Sequence, residues 1–163
     1  KCGYQRFECV QPMYNLVKRQ AEVEILPLAQ AEEVGVISYS PIAAGLLTGK
    51  YQAAAQTEGR IANNKFYSAR YADPGYAEVA DRFVAFCKER NWHPATVAVA
   101  WAGSHPGVTA PIIGGRNVSQ IETALAALDF PMTPALRDEI SALSIDPPLA
   151  TDRRDEQVGL FIH

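Results

Sequence analysis

The sequence predicts an α/β fold in which parallel strands alternate with helices. Three short apolar segments, 9–13, 36–39 and 107–113, have the length and composition of buried strands, and at least one helix is predicted after each of them. The chain has 163 residues, 48% hydrophobic and 20% charged, which is typical of one soluble globular domain. Three successive βα units therefore form the predicted framework.

The first unit begins with a strand over 9–13 that ends near Pro12, because proline donates no hydrogen bond to a neighbouring strand. Pro27 fits the first position of a helix that extends to Val34. Gly35 is expected to end that helix, since glycine adopts a left-handed conformation without steric cost.

The second unit begins with a strand over 36–39 and includes a long polar segment, 52–74, without apolar periodicity. Segments of that length in a compact domain are usually binding loops or lids. Helical periodicity returns over 76–90 with one buried stripe, and Pro94 is expected to begin a helix whose inner face includes Trp101.

The third unit combines a strand over 107–113 with a helix that Asn117 can cap. Gln120 stands three residues later, as in a capping box. The apolar residues of this helix recur at helical spacing and predict its buried face; they are Val118, Ile121, Leu125 and Leu128.

Three βα units leave two architectures open. A (β/α)8 barrel needs about 250 residues and at least roughly 200, so the chain is either part of a barrel or a small open sheet. A last helix is expected from Thr133. We take residues 1–144 as the folded portion and residues 145–163, rich in proline and charge, as a C-terminal tail.

Composition and charge exclude several classes of function. A net charge of −3 gives no basic surface for nucleic acid, and no apolar run approaches the roughly 18 to 20 residues that cross a bilayer. Cys2, Cys9 and Cys87 lack the spacing of metal ligands, and reduced thiols indicate a cytoplasmic protein. We expect no metal and no nucleic-acid or membrane partner, and a homo-oligomer stays open.

Two glycine-containing segments stand directly after the second and third strands, YSPIAAGLLTGKY at 39–51 and PIIGGRN at 111–117. In (β/α)8 barrels the functional face lies at the carboxyl ends of the strands, and phosphate groups commonly bind to the loops after strands 7 and 8. A pyrophosphate needs backbone N–H donors and little side-chain bulk, and both segments can supply these.

Together with VQPMYNL at 10–16, these segments resemble the C-terminal part of the aldo-keto reductases, in the branch of bacterial members and potassium-channel β subunits. The resemblance covers residues 7–144 and about half of a complete member. It implies the last three βα units of a (β/α)8 TIM barrel. It also implies NADPH-dependent reduction of an aldehyde or ketone, a small-molecule carbonyl substrate, to an alcohol.

The resemblance also implies residue roles at the nicotinamide and pyrophosphate. Tyr39 would stack on the nicotinamide and Gln11 would hold its carboxamide, although Tyr39 can also be read as a core aromatic at a strand end. Lys50 would reach a phosphate, and Arg60 is either a pyrophosphate ligand or a solvated arginine. The full implied set is Gln11, Tyr39, Ser40, Pro41, Ile42, Ala43, Lys50, Arg60, Gly114, Arg116 and Gln120.

At the adenosine end, Gly114 would let the backbone approach the cofactor, and Arg116 would pair with a 2′-phosphate or stack on adenine. This favours NADP(H) over NAD. Gln120 would reach the adenine or ribose, a role compatible with capping. Relatives often carry Glu-Asn where this chain has Thr123-Ala124, so that adenine contact is not carried over.

The family's catalytic residues are a tyrosine, a lysine, an aspartate and a histidine on the first four strands of the barrel. No segment of this chain matches their settings, and His105-Pro106 precedes the last strand rather than following one. We therefore assign no catalytic residue.

Three hypotheses remain: a portion of a complete reductase, a non-catalytic NADP(H)-binding module similar to channel β subunits, or an unrelated small α/β protein.

Overall fold

The computed structural model describes residues 3–51 and 59–147, apart from the side chain of Arg60. Within these residues three parallel strands form one sheet in the order β1-β2-β3, as the alternation of strands and helices predicted. The strands are β1 (Cys9–Val10), β2 (Gly35–Ser38) and β3 (Ala110–Pro111).

Seven α-helices lie in the described part of the chain. They are α1 (Ile25–Ala31), α2 (Arg60–Asn63), α3 (Lys65–Arg70), α4 (Pro74–Glu89), α5 (Pro94–Gly103), α6 (Val118–Leu125) and α7 (Pro134–Ser141). Short 3-10 helices occupy Gln20–Glu22, Ala43–Thr48 and Ala126–Asp129.

Helix α1 differs from its prediction at both ends. It begins two residues before Pro27. Proline is tolerated there because the first four backbone N–H groups of a helix have no partner within the helix, and Pro27 lies at one of these four positions. It also ends three residues before Val34. Glu33 takes the left-handed conformation (φ 53°), and the Val34 N–H donates to the Ala29 carbonyl at 2.8 Å. Gly35 is therefore the first residue of β2, and its predicted role as a helix-ending residue is wrong.

The polar segment predicted as a loop is helical over most of its described part. Residues 52–58 lie outside the described residues, while α2 and α3 fill most of the remainder. The Asn64 side chain accepts a hydrogen bond from the Phe66 N–H at 2.9 Å and so caps α3. Helices of four and six residues are too short for an apolar periodicity to be recognised in the sequence.

Helices α4 and α5 form most of the core. The predicted stripe of α4 is confirmed, since Val79, Phe83 and Cys87 are fully buried or nearly so. In α5 every residue from Thr96 to Ala102 is buried, so this helix has no solvent face. An all-round apolar helix of this kind belongs to a protein interior, whereas the sequence predicted a single inner face.

The apolar stripe predicted for α6 is not its buried face. Val118, Leu125 and Leu128 are 71%, 46% and 84% exposed, while Ala124 is buried. The helix turns its Ala124 side toward α5, where the Thr96 hydroxyl donates to the Thr123 carbonyl at 2.7 Å. A small residue allows this close approach, and the larger apolar residues consequently lie outside the contact.

A largely buried polar cluster attaches α7 to the rest of the fold. This Glu22 cluster consists of Tyr14, Arg19, Glu22, Trp101 and Arg137. The Tyr14 hydroxyl donates to the Glu22 carboxylate (2.5 Å) and accepts from Arg137 (2.7 Å). Arg19 also donates to Glu22, at 2.8 Å, and the Arg137 guanidinium lies 4.6 Å from the centroid of the Trp101 ring. The cluster therefore joins the loop after β1 to the last described helix.

These contacts shift the pKa values of the cluster. Burial acts to raise the pKa of Glu22, but the hydrogen bonds and charges supplied by Arg19, Tyr14 and Arg137 outweigh it and hold that pKa below its usual value. Burial raises the pKa of Tyr14, so its hydroxyl stays protonated and can donate. A carboxyl with a lowered pKa in the folded state contributes stability that is lost as the pH falls through that pKa.

We expect Glu22→Gln to lower the free energy of unfolding at pH 7 by about 1.5–3 kcal/mol, the range for hydrogen bonds to charged groups. The difference from the parent should shrink as the pH falls below about 4, where the parent carboxyl also becomes neutral. Urea unfolding at the two pH values measures this.

The matched control is Glu139→Gln, which removes an exposed ion pair with Arg90 (2.8 Å) and should cost no more than about 0.5 kcal/mol. Equal losses for the two variants, or a Glu22 effect that does not depend on pH, would contradict the assignment.

Candidate functional site

The carboxyl ends of the three strands lie along one edge of the sheet. The Tyr39 N–H donates to the Pro12 carbonyl at 2.9 Å, and the Ile112 N–H donates to the Ser38 carbonyl at 2.7 Å. Since the strands are parallel, the segments that follow them leave the sheet at the same edge. Gln11, the 39–51 segment and the 111–117 segment are thus neighbours.

The side chains of Gln11 and Tyr39 face the same side of the sheet. β1 and β2 pair Cys9 with Gly35, and the same register continues to a bridge between Met13 and Tyr39. Gln11 therefore stands opposite Ile37, two residues before the Met13 bridge, and alternate residues of a strand share a face.

That face is the open one. Val36 and Ser38, on the other side of β2, are fully buried, whereas Ile37 and Tyr39 are only partly buried and Gln11 is exposed. Gln11 and Tyr39 can consequently meet a ligand at the carboxyl edge.

The segment after Tyr39 contains a run of left-handed residues. Ser40, Ala43 and Ala44 have φ values of 60°, 51° and 56°, and Gly45 has 94°. Each non-glycine residue in this conformation costs about 1–2 kcal/mol. Such a cluster persists only where the surroundings fix it, and clusters of this kind are concentrated at ligand sites.

Packing fixes this segment from inside. Pro41 and Ala43 are buried and Ile42 is partly buried against the core. The Ala43 N–H donates to the Ser40 carbonyl at 2.9 Å. The backbone that the sequence predicted to be accessible at Ala43 is therefore engaged within the protein, and Ser40 is the more open part of the turn.

Lys50 lies where this segment meets α2. Its Nζ is 4.7 Å from the centroid of the Tyr51 ring, and its side chain passes beside Gly45, where a Cβ would lie 2.4 Å from Cε. The Tyr51 hydroxyl accepts a hydrogen bond from the Ile61 N–H at 3.2 Å. These contacts bring the start of α2, and with it the backbone of Arg60, next to the glycine segment.

The segment after β3 is organised by the start of α6. The Asn117 side chain accepts from the Gln120 N–H at 3.0 Å, which confirms the predicted N-cap. The side-chain Oε1 of Gln120 accepts from the Arg116 N–H at 2.9 Å, one residue earlier than in a capping box. Gly114 has open space where a Cβ would point, and the Arg116 side chain is exposed.

Two titratable residues near the core, Tyr14 and His105, are engaged within the fold. Tyr14 is flanked by a cation and a carboxylate, but it is fully buried and its hydroxyl is used within the Glu22 cluster. His105 lies in the turn before β3, where its Nδ1 accepts from the Gly107 N–H at 2.9 Å. Burial is the main influence that lowers the pKa of His105.

Asn15 also belongs to this region, although no role was predicted for it from the sequence. It is fully buried beside the end of β2, where its side chain donates to the Ser40 carbonyl at 3.0 Å. Its role could have been predicted from the sequence because it is a polar residue within the otherwise apolar segment Met13–Val17.

The described residues contain neither a cluster of metal-binding side chains nor a helix that could span a membrane. None of their histidine, cysteine and acidic side chains gather in the groups of three that could hold a metal ion. Among the same residues, no helix combines the length and the apolar character needed to cross a membrane.

A sequence model described as "Aldo/keto reductase family" matches residues 1–145. The oxidoreductase YrpG of Bacillus subtilis is 36% identical over 122 residues, which cover 74% of this chain and 35% of that protein. An aldo-keto reductase of Fusarium vanettenii is 34% identical over 128 residues, covering 77% and 34%. A rice protein named "Probable voltage-gated potassium channel subunit beta" is 32% identical over 157 residues, covering 87% and 45%.

The structure is also similar to that of a glycerol dehydrogenase from Gluconobacter oxydans, with a TM-score of 0.66 at 23% identity. The match covers 83% of this chain and 41% of that one. The chain therefore spans less than half the length of these relatives, and the predicted fold, part of a (β/α)8 barrel, is confirmed.

The two glycine positions should respond differently to an added methyl group. Gly45→Ala is expected to lower the free energy of unfolding by about 1–3 kcal/mol, because alanine at φ 94° is strained and Lys50 must move. Gly114→Ala should change it by no more than about 0.5 kcal/mol, since its Cβ enters open space. Urea unfolding of both variants tests this, and a larger loss for Gly114→Ala would refute the described geometry.

Proposed function

We infer the function of this chain from its family, since the chain belongs to the aldo/keto reductases. We propose that it binds NADP(H) at the carboxyl edge of its sheet and forms the cofactor-binding part of an oxidoreductase that reduces aldehydes or ketones to alcohols. The observation that supports this most is the shared edge: the glycine segments leave β2 and β3, which are neighbouring strands. One extended dinucleotide could contact both.

The nicotinamide end of the cofactor would lie at Gln11 and Tyr39. The tyrosine ring offers a flat surface for a heteroaromatic ring, and the glutamine amide offers a donor and an acceptor that match a carboxamide. Both side chains belong to the open face of the sheet. When bound, NADPH supplies the hydride, and these two residues would hold and orient the ring that carries it.

The pyrophosphate would lie between the two segments. Ser40 offers a hydroxyl at the start of the left-handed turn, and Lys50 offers a positive charge where the turn meets α2. Arg60, whose backbone begins α2, would add a second charge. The strained turn fits this task, because a backbone held in one conformation loses little entropy when a ligand binds.

The adenosine end would lie at the second segment. The open space at Gly114 leaves room for a ligand to approach the backbone, and the planar guanidinium of Arg116 suits a 2′-phosphate. The side-chain Oε1 of Gln120 already accepts a hydrogen bond from the Arg116 N–H. Its amide nitrogen would then face the adenine or ribose as a donor.

The proton that completes carbonyl reduction needs an acid close to the developing alkoxide. We assign no such residue to this chain. The acid would come from the part of the protein that corresponds to the rest of the barrel, and substrate choice would depend on loops of that part as well.

A non-catalytic NADP(H)-binding module or regulatory subunit is the second candidate, favoured by the similarity to the rice protein named as a channel β subunit. Two measurements separate the candidates when they are made on the protein with the remainder of its barrel rather than on this chain alone: NADPH binding by fluorescence, and NADPH oxidation with a panel of aldehydes and ketones. Turnover supports the reductase, binding without turnover supports the module, and absence of binding refutes both.

We expect Arg116→Ala to weaken NADPH binding by about 1.5–3 kcal/mol, the range for a hydrogen bond to a charged group, while NADH binding changes little. Calorimetric titration with the two cofactors measures the difference. The control is Arg6→Ala, which removes an exposed arginine that pairs with Glu32 at 3.2 Å. Arg6 precedes β1 and therefore does not belong to the carboxyl edge where the cofactor is proposed to bind. An equal loss for NADPH and NADH would remove the 2′-phosphate role from Arg116.

A further inference from the structure

We propose that Asn15 is a positioning residue for the cofactor loop, because its side-chain amide fixes Ser40 in the conformation that begins the left-handed turn. This inference rests on the proposed function, which assigns that turn to NADP(H). Asn15 itself is fully buried and would not touch the cofactor.

The Asn15 amide uses all of its hydrogen-bonding capacity. Its oxygen accepts from the backbone N–H groups of Val17 (3.2 Å) and Lys18 (3.0 Å). Its nitrogen donates to the Ser40 carbonyl (3.0 Å) and the Tyr71 hydroxyl (3.4 Å). Two acceptor sites and two donor hydrogens are all that an asparagine side chain has. Rotating the amide by half a turn would place its NH2 group against the two backbone N–H groups and its oxygen against the Ser40 carbonyl oxygen. Its orientation is therefore fixed.

Ser40 needs such a partner. A serine at φ 60° costs about 1–2 kcal/mol, and its carbonyl oxygen receives two hydrogen bonds, from the Asn15 amide and from the Ala43 N–H at 2.9 Å. A net contribution of about 1 kcal/mol from a buried hydrogen bond is of the same size as this cost. Losing the Asn15 bond would therefore remove stabilisation of the same size as the cost of the Ser40 conformation.

The Asn15 amide also links the segments that follow β1 and β2. Asn15 lies four residues after Gln11, and Ser40 directly follows Tyr39. Their hydrogen bond adds to the ladder between β1 and β2 at the point where the ladder ends, since the last backbone bond joins the Tyr14 N–H to the Tyr39 carbonyl at 3.2 Å. The relative position of the two nicotinamide residues thus depends on Asn15.

Tyr71 is the weaker partner of the amide. Its hydroxyl is 3.4 Å from the Asn15 nitrogen and 3.8 Å from the Met13 sulfur, both longer than the bond to Ser40. Burial raises the pKa of Tyr71 to about 12, so the hydroxyl is neutral at physiological pH. Its removal should disturb the end of α3 more than it disturbs the turn.

The test is a thermodynamic cycle on the dissociation constant for NADPH, measured by fluorescence titration at a temperature where every variant is folded. Asn15→Ser keeps a side-chain acceptor for the following N–H groups but is too short to reach Ser40. We expect it to raise the dissociation constant at least tenfold. In a Ser40→Gly background the same change should raise it less than threefold, because glycine adopts the left-handed conformation without a partner.

Two controls separate positioning from general stability. Ser141→Ala removes the hydroxyl that accepts from the Trp101 indole N–H at 3.0 Å, in α7, and should lower the melting temperature without changing the dissociation constant. Tyr71→Phe removes the longer of the two Asn15 contacts together with a hydrogen bond to the Ser40 side chain, and it should raise the constant less than Asn15→Ser does. If Asn15→Ser does not fold, Asn15→Asp replaces the donor with an oxygen at nearly constant volume, and the same tenfold rise is expected.

A dissociation constant within twofold of the parent, or an equal rise in both backgrounds, would overturn the inference. In that case the parent still binds NADPH and the proposed function stands. A parent that binds no dinucleotide would instead refute the proposed function, and this inference with it.

Discussion

The pairing of β2 with a parallel neighbour on each side is the constraint on which the candidate site depends. Hydrogen bonds from Tyr39 to Pro12 and from Ile112 to Ser38 bring three strand ends together. Three separate segments of sequence, far apart along the chain, thereby share one edge. Without this pairing, no residue of the 111–117 segment would lie near the 39–51 segment. The helices stabilise the sheet, but the strand register decides which side chains meet.

The packing around the sheet determines which polar residues are used inside the fold and which remain available to bind a ligand. The Glu22 cluster buries two arginines, a carboxylate and a tyrosine, and uses them to attach α7. Arg116, in contrast, is exposed at the carboxyl edge. The sequence alone does not distinguish these arginines, because the distinction depends on which segment folds over them. Burial and partners therefore decide which charged residues can recognise a phosphate.

Much of the fold could be predicted from the sequence, and the errors have physical causes. The stripe of α4 and the N-caps at Asn117 and Thr133 depend on local patterns, so they were predicted correctly. The end of α1 was misplaced because Glu33, rather than a glycine, takes the left-handed position. The buried face of α6 was wrong because it depends on Ala124, whose small side chain carries little hydrophobic signal. The positions of the candidate site residues followed from strand order, whereas the role of Asn15 depends on a contact across 25 residues of sequence.

The left-handed run at Ser40–Gly45 has a consequence for mutational tolerance. Surface loops usually accept most substitutions, but β-branched side chains are strongly disfavoured at positive φ. A saturation library across this turn should accept glycine at Ala44, which is buried as well as left-handed, more readily than valine or isoleucine. The residues accepted at these positions would therefore differ from those accepted at ordinary core positions and at ordinary surface positions. The same preference in another sequence would indicate the same left-handed turn.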